Sequence, residues 1–252
     1  MSDVYERLLV PALFRPFALD LARRVEALGP GAVLELAAGT GALTRELTSR
    51  PDVVVVATDL NPGMVEVGSA LAPMATWETA DASSLPFEAG RFDVVACQFG
   101  VMFFPDKPQA AREAGRVLRP GGRVLLSTWG ALDEHGFASA LVAALDEALP
   151  DGAPGFVAAV PHGYHDLDVV VADLTAGGLE VLEVDTVTLE GTATADDLAV
   201  GFCTGTPLRP AIEQRAELAA TVDAVAAAMR ARLGEGRVSV PMTAHVVTAT
   251  NR

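Results

Sequence analysis

The chain has 252 residues, of which 50% are hydrophobic and 20% are charged, and its formal net charge is −15 at pH 7. This length and apolar content exclude a disordered protein and favour one large domain over two small ones. With 33 acidic residues against 18 basic ones, neither nucleic acid nor an anionic membrane surface is expected as a partner, because both attract clustered cations.

Cysteine use and the N-terminal residues bear on the cellular compartment. Cys97 and Cys203 stand far apart in apolar surroundings, so we expect both to be reduced. The first residues are acidic, unlike a signal peptide, and the apolar runs are far shorter than the roughly 20 residues that span a bilayer. The sequence therefore predicts a cytoplasmic protein outside the membrane. Arginine makes up nearly all of the basic residues, which is typical of a GC-rich bacterial genome.

The first half of the chain alternates between strand and helix patterns. Residues 4–28 predict two short helices, because Pro11 and Pro16 interrupt their apolar spacing. Strands are predicted at 32–36, 53–59, up to Asp81, 92–98 and 122–128, and helices at about 41–50, from Asn61-Pro62 onward and at 108–117. Such alternation implies parallel strands joined by crossovers, and hence a doubly wound α/β sheet.

The order of elements changes beyond Trp129. Helices are predicted at 136–149, 166–176 and across 195–233, with strands at 179–189 and 238–250. Pro241 indicates an edge position or a bulge in the last strand. We therefore divide one predicted domain into an N-terminal helical cap (1–29), a ligand-binding core (30–130) and a substrate-side half (131–252). The helical insertion at about 189–236 and the cap are expected to close over the substrate.

A glycine-containing loop follows the first predicted strand, in the run Glu35-Leu36-Ala37-Ala38-Gly39-Thr40-Gly41. Glycine allows backbone conformations and close ligand approach that a side chain forbids. Asp59 ends the next strand, and in a doubly wound sheet both positions lie at the carboxyl ends of adjacent strands. A carboxylate there can accept hydrogen bonds from both hydroxyls of a ribose, worth roughly 1.5–3 kcal/mol each. The pattern predicts a nucleoside ligand.

Two residues favour S-adenosylmethionine over NAD as that ligand. A dinucleotide site needs a third glycine at the position of Thr44. Glu35 is a poor neighbour for a pyrophosphate, whereas it can orient the cationic amino-acid end of S-adenosylmethionine. A nicotinamide-dependent oxidoreductase remains the alternative for the same fold. In the other alternative, Glu35 is only a helix-capping acid and Asp59 is only a solvated strand end.

Further residues at strand ends fit the same ligand. Asp81 is positioned to accept from the adenine amino group, and Met64 supplies a polarizable face for adenine, although methionine at such positions is commonly core. The full set of expected cofactor-binding residues is Glu35, Gly39, Thr40, Gly41, Asp59, Leu60, Met64, Asp81, Ala82 and Gln98. No metal site is expected.

Taken in order, several motifs resemble those of class I S-adenosylmethionine-dependent methyltransferases, in the small-molecule branch similar to ubiquinone and menaquinone biosynthesis enzymes. They are residues 35–41, Asp59, 80–87, 92–95 with 98–104, and 117–122. The resemblance covers about residues 30–130 and implies a seven-stranded sheet with an antiparallel last strand. It also implies that Glu35, Gly39, Gly41, Asp59, Asp81 and Gln98 line the cofactor site. Ala37-Ala38 departs from the family pattern, but both residues are small.

This resemblance implies methyl transfer to a small organic acceptor through an oxygen, nitrogen or carbon nucleophile, by a monomer or a homodimer. A general base is optional, because the sulfonium is already a good leaving group. The first candidates for a base are His165, His162 and Tyr164, followed by His135. In the structural alternative, Asp166 is a helix cap and the histidines are surface residues. A protein that binds S-adenosylmethionine without transferring its methyl group is the functional alternative.

Overall fold

Seven strands form one sheet in the computed structural model, which describes residues 2–251. They are β1 (Ala32–Glu35), β2 (Val54–Asp59), β3 (Thr76–Thr79), β4 (Phe92–Gln98), β5 (Leu118–Trp129), β6 (Leu179–Thr194) and β7 (Arg237–Asn251). Their order across the sheet is β3-β2-β1-β4-β5-β7-β6. The first five strands pair in parallel, and β7 runs antiparallel to β5. The predicted doubly wound sheet with an antiparallel last strand is confirmed.

Eleven α-helices accompany the sheet within residues 2–251. They are α1 (Ser2–Val4), α2 (Arg15–Ala27), α3 (Ala42–Leu47), α4 (Pro62–Leu71), α5 (Lys107–Val117), α6 (Gly136–Ala148), α7 (Phe156–Ala159), α8 (Leu167–Ala176), α9 (Ala195–Gly205), α10 (Leu208–Glu213) and α11 (Leu218–Leu233). Side-chain caps set several starts: Asn61 accepts from the Gly63 amide before α4, and Asp106 accepts from the Gln109 amide before α5. Each cap is followed by a proline in the first helical turn, where its missing N–H costs nothing.

The N-terminal helices are continuous, so the break predicted at Pro11 and Pro16 is wrong. Between α1 and α2, residues Tyr5–Phe14 form a π-helix that contains Pro11. Proline lacks the N–H that an α-helix uses and crowds the carbonyl four residues earlier. The wider π turn accommodates the ring, and the Arg15 amide donates to Val10, five residues back.

Two further boundaries differ from prediction. β5 begins at Leu118, four residues before the predicted start at 122, and its pairing with β4 is irregular near its beginning, where Gly121 has φ 76°. β7 lies between β5 and β6, so Pro241 is not on an edge strand. The antiparallel register with β5 begins at Ala244, so on that side Pro241 lies before the paired residues of β7.

The chain divides into two compact units. The helical unit comprises residues up to Pro16, Gly130–Gly163 and Thr188–Thr243, and it holds the π-helix, α6, α7 and α9–α11. The sheet unit comprises Phe17–Trp129, Tyr164–Val187 and the residues from Ala244 onward. Every expected cofactor-binding residue belongs to the sheet unit. The division into cap, core and substrate-side half within one domain stays a prediction.

The core of the sheet unit packs α2 and α3 against one face of the central strands. Leu21 and Leu43 are about 1% exposed and contact a layer of strand residues. That layer consists of Val33, Val55, Val94, Ala96, Leu125 and Val246. Burial of each large aliphatic side chain contributes roughly 1.5–3 kcal/mol. This packing fixes the carboxyl ends of β1, β2 and β4, where the candidate site lies.

Candidate functional site

The loop after β1 is tied to the strands on both sides of it. The Leu36 amide donates to the Ala96 carbonyl of β4 at 2.8 Å, and the Ala38 amide donates to the Thr58 carbonyl of β2 at 2.9 Å. Gly39 has φ 58°, a left-handed conformation that favours glycine, and a Cβ added there would meet nothing within 4 Å. The backbone of this loop is therefore open to a ligand.

Gly41, at the start of α3, is constrained by packing as well as by conformation. It has φ 87°, and a Cβ there would lie 3.1 Å from the Trp77 ring of β3. The same ring packs so closely on Gly68 of α4 that a Cβ there would come within 2.2 Å of it. Trp77 also donates its indole N–H to the Ala72 carbonyl at 3.1 Å. This tryptophan supports the glycine loop, a role that no sequence motif indicated.

Asp59, at the end of β2, binds the glycine loop directly. Its Oδ2 accepts from the Gly39 amide and its Oδ1 from the Asn61 amide, each at 2.8 Å. Burial raises the pKa of Asp59, and the two amide donors act in the opposite direction. Each oxygen retains a second lone pair, so the carboxylate can still accept from a ribose. The structure thus brings together the loop and the acid that the sequence analysis paired.

Glu35 lies in a different environment from the one its sequence position suggested. Its side chain is 1% exposed, and its Oε2 accepts from the Thr44 hydroxyl of α3 at 2.6 Å. Burial raises the pKa of Glu35 to about 8; the Thr44 hydrogen bond lowers it and the charge of Asp59 raises it. The carboxyl group is enclosed in this structure, and the expected role of Glu35 toward the cationic end of the cofactor, directly or through water, stays a prediction. No motif in the sequence shows that Thr44, nine residues later, meets this carboxyl group.

The remaining expected cofactor residues lie around the ends of β2, β3 and β4. Leu60 is 69% exposed, and Met64 of α4 and Gln98 of β4 are half-buried. Asp81 is exposed, and its Oδ1 accepts from the amide and the hydroxyl of Ser83, which lower its pKa. Thr40 is buried and Ala82 half-buried. These positions leave Leu60 and Asp81 accessible to a ligand.

An aromatic cluster that the sequence analysis did not assemble stands at the ends of β4 and β5. The Phe99 and Trp129 rings stack with centroids 3.6 Å apart and an interplanar angle of 7°, and Phe17 of α2 meets both edge-on. Phe99 has φ 52° and Ala37 has φ 50°, both unusual for residues other than glycine. Such strain concentrates at functional sites.

Gly100 lets the strained Ala37 approach β4. A Cβ at Gly100 would lie 2.4 Å from the Ala37 Cβ and 3.1 Å from the Cys97 sulfur. We expect Gly100→Ala to destabilise the protein by about 1–3 kcal/mol through overpacking, measured by thermal unfolding. Gly155→Ala is the matched control, because a Cβ there meets nothing within 4 Å. Equal melting temperatures for the two variants would contradict this packing.

His162 and His135, two of the candidate bases, are buried in the helical unit. The Nδ1 of His162 lies 2.9 Å from the Gly130 carbonyl, so that nitrogen carries a proton and donates it. The Nδ1 of His135 accepts from the Ala138 amide at 3.2 Å and caps α6. Burial, reinforced by His162, lowers the pKa of His135 to about 3. This pKa makes His135 a weak base, and its cap indicates a structural role.

His165 and Tyr164, the other two candidates, belong to the sheet unit. Tyr164 is 7% exposed and donates its hydroxyl to Asp173 at 3.0 Å; burial, followed by Asp173, raises its pKa. Asp166 accepts from the Asp168 amide and caps α8, as the structural alternative predicted. His165 is exposed, and it is the only one of the four candidates that is. Its role as a base stays a prediction.

Residues 2–251 contain neither a candidate metal site nor a membrane-spanning helix. In that range no cluster of three or more histidine, cysteine, aspartate or glutamate side chains is arranged to hold a metal ion. None of the helices there combines the length and apolar character needed to cross a membrane.

A parallel sheet with an antiparallel β7, and a glycine loop hydrogen-bonded to the acid that ends β2, define the class I methyltransferase fold. Residues 34–126 match a family model described as a methyltransferase domain. The resemblance stated from the sequence motifs is confirmed.

Curated relatives and a solved structure agree with this assignment. The chain is 39% identical over 102 residues to the ubiquinone/menaquinone biosynthesis C-methyltransferase UbiE of Idiomarina loihiensis, covering 37% of this chain and 41% of that protein. It is 36% identical over 129 residues to the demethylmenaquinone methyltransferase of Deinococcus radiodurans, covering 49% and 54%. The match thus spans about half the length of these relatives. The crystal structure of the YcgJ protein from Bacillus subtilis aligns with a TM-score of 0.58 at 21% identity over 94% of this chain and 98% of that one, which supports the fold.

Proposed function

We propose that this chain is an S-adenosylmethionine-dependent methyltransferase acting on a small organic acceptor. The observation that carries the proposal is the bond between the Asp59 carboxylate and the Gly39 amide at the carboxyl edge of the sheet. It places a hydrogen-bond acceptor for ribose beside an open stretch of backbone. The methyltransferase-domain match over residues 34–126 favours S-adenosylmethionine over NAD at such a site.

The residues at this edge fit the parts of that cofactor. Asp59 would hold the ribose hydroxyls, and Asp81 would accept from the adenine amino group. Leu60 and Met64 would contact the adenine faces. The cofactor supplies an activated methyl group on its sulfonium, together with the leaving group. The protein's contribution is chiefly to orient the acceptor in line with that methyl, and such positioning can recover roughly 7–11 kcal/mol of the barrier.

Charge and the relatives' names support a proposal for the class of acceptor. A net charge of −15 disfavours nucleic acid. The relatives' names refer to methylation in quinone biosynthesis, so a planar phenolic or quinol acceptor is the first class to test. The aromatic cluster of Phe17, Phe99 and Trp129 lies in the same unit, at the ends of β4 and β5. We further propose that the protein is a cytoplasmic bacterial enzyme of secondary or cofactor metabolism.

Methyl transfer is tested by incubating the purified protein with methyl-labelled S-adenosylmethionine and a panel of phenolic, amine and carbon-acid acceptors. We expect label in the acceptor and an equal amount of S-adenosylhomocysteine. Cofactor binding without transfer to any of these acceptors would contradict the proposal and favour a protein that binds the cofactor for another purpose.

His165 is the candidate base to test once an acceptor is known. If His165 removes a proton from the acceptor, His165→Ala should lower kcat about 100-fold and leave the cofactor Kd unchanged. Asp168→Asn, an exposed change in the first turn of α8, serves as the control. Wild-type turnover in His165→Ala would show that His165 is a surface residue and not the base.

A further inference from the structure

The loop that follows β3, residues 80–87, lies at the edge of the sheet. Within residues 2–251, β3 is an edge strand whose one neighbour is β2, so no strand lies on the outer side of the loop. The Ala80 amide donates to the Asp59 carbonyl at 3.1 Å, and the side chains of Leu85 and Phe87 are each 5% exposed. The backbone between these anchors needs polar partners from elsewhere.

Two charged side chains of α5 supply partners for this backbone. Glu113 Oε2 accepts from the Leu85 amide at 2.8 Å. Arg116 donates through Nη2 to the Leu85 carbonyl at 3.0 Å and through Nη1 to the Phe87 carbonyl at 2.7 Å. Both backbone polar groups of Leu85 are therefore bound by α5, as a neighbouring strand would bind them.

Glu113 and Arg116 also bind each other, and we call this pair the α5 clamp. Arg116 Nε donates to Oε1 and Nη2 donates to Oε2, each at 2.7 Å, which is the two-point geometry that arginine forms with a carboxylate. The hydrogen bonds from Arg116 lower the pKa of Glu113, so Glu113 is ionised at neutral pH and accepts from the Leu85 amide. The clamp therefore holds the loop in one position.

The turn that carries Asp81 lies between the α5 clamp and a third contact from the same helix. Gln109 Nε2 donates to the Ser83 carbonyl at 3.0 Å. Asp81 and Ser84 form an antiparallel bridge, in which the Ser84 amide donates to the Asp81 carbonyl at 3.0 Å. The amide and the hydroxyl of Ser83 donate to Asp81 Oδ1 at 2.8 and 2.7 Å. Oδ2 keeps its lone pairs for a ligand, and its position is set by backbone that α5 holds.

We propose that Glu113 and Arg116 are positioning residues for the adenine ring of the cofactor, and that they act through Asp81. By holding the loop, the α5 clamp keeps Asp81 Oδ2 where it accepts from the adenine amino group and rejects a carbonyl oxygen at the same position. This inference rests on the proposed function, which places adenine beside Asp81. It adds that selectivity for the base depends on α5, a helix that carries none of the expected cofactor-binding residues.

The test compares calorimetric affinities for S-adenosylhomocysteine and for S-inosylhomocysteine, in which a carbonyl oxygen replaces the amino group of adenine. Wild type should bind the adenine form about 10- to 100-fold more tightly, because the carboxylate accepts from the amino group and repels the carbonyl oxygen. Arg116→Met should reduce this ratio to below about fivefold, and it should bind the inosine form at least as tightly as wild type does. Asp81→Ala should also lose the selectivity, and adding Arg116→Met to it should change the ratio no further.

Further variants separate positioning from charge and from folding. Arg116→Lys keeps the charge but lacks the planar fork that binds two carbonyls, so it should also lose selectivity. Arg50→Met is the matched control, because Arg50 pairs with Glu26 and Asp52 at the opposite end of the strands, and it should keep the wild-type ratio. If Arg116→Met does not fold, Arg116→Lys and Glu113→Gln decide, since both should lower the ratio.

The outcomes separate this inference from the proposed function. A wild-type ratio in the clamp variants would overturn the inference alone. Equal weakening of both ligands in Arg116→Met would also overturn it, because a merely structural role does not distinguish the two bases. Equal ratios in wild type and Asp81→Ala would overturn it by removing Asp81 from the adenine site. No binding of either ligand by wild type would overturn both the inference and the proposed function.

Discussion

Replacing Asp59 with alanine is expected to weaken S-adenosylmethionine binding by at least about 1.5 kcal/mol, which is more than tenfold in Kd. The variant loses the acceptor proposed for the ribose hydroxyls. It also frees the Gly39 and Asn61 amides, which Asp59 binds at 2.8 Å, so the loop loses its fixed position. Calorimetric titration of the variant with the cofactor measures the effect.

Two variants give this experiment its controls. Asp52→Ala removes an exposed acid close to the opposite end of β2, where it pairs with Arg50, and should bind the cofactor as wild type does. Asp59→Asn keeps an oxygen acceptor but not the charge, so an intermediate Kd is expected. Unchanged affinity in Asp59→Ala would remove Asp59 from the cofactor site.

The second large effect concerns stability: Glu35→Gln should stabilise the free protein at pH 8 by about 4 kcal/mol. Below pH 4.5, the usual pKa of this group, its carboxyl is protonated in both the folded and the unfolded chain. As the pH rises towards the folded pKa of about 8, only the unfolded chain ionises, so wild type progressively loses stability. Glutamine has the same shape and never ionises, and it therefore avoids that loss.

Thermal unfolding at pH 5 and pH 8 measures this difference. We expect the two proteins to melt close together at pH 5, and the variant to melt several degrees higher at pH 8. The same variant should bind the cofactor more weakly. The Glu35 carboxyl group would then lower stability but favour cofactor binding. Glu66→Gln, an exposed change on α4, is the control. A difference in melting temperature that does not change with pH would show that Glu35 is ionised in the folded protein.

The sequence was sufficient for the sheet and for the pairing of the glycine loop with Asp59. Both follow from one rule: parallel strands end at the same edge, so residues that directly follow successive strands meet there. Strand–helix alternation over the first 130 residues left few other topologies. This rule does not place β7, because its neighbours in the sheet are distant in sequence. The position of β7 was predicted only through the family resemblance.

What the sequence did not show depends on contacts between distant residues. Nothing near Glu35 indicates that Thr44 encloses its carboxyl, and nothing near His135 indicates that its ring caps α6. The stack of Phe99 on Trp129 joins the ends of β4 and β5, which are 30 residues apart. The usual rule that proline breaks helices fails at Pro11. The π-helix there has a wider hydrogen-bond register that accommodates the proline.

Calorimetric titration of the wild-type protein with S-adenosylmethionine, S-adenosylhomocysteine and NAD at pH 8 decides which cofactor binds at the glycine loop. We expect micromolar binding of the two sulfur nucleosides and no heat from NAD. Binding of NAD alone would contradict this expectation, because the glycine loop, Glu35 and Asp59 would then belong to a dinucleotide site.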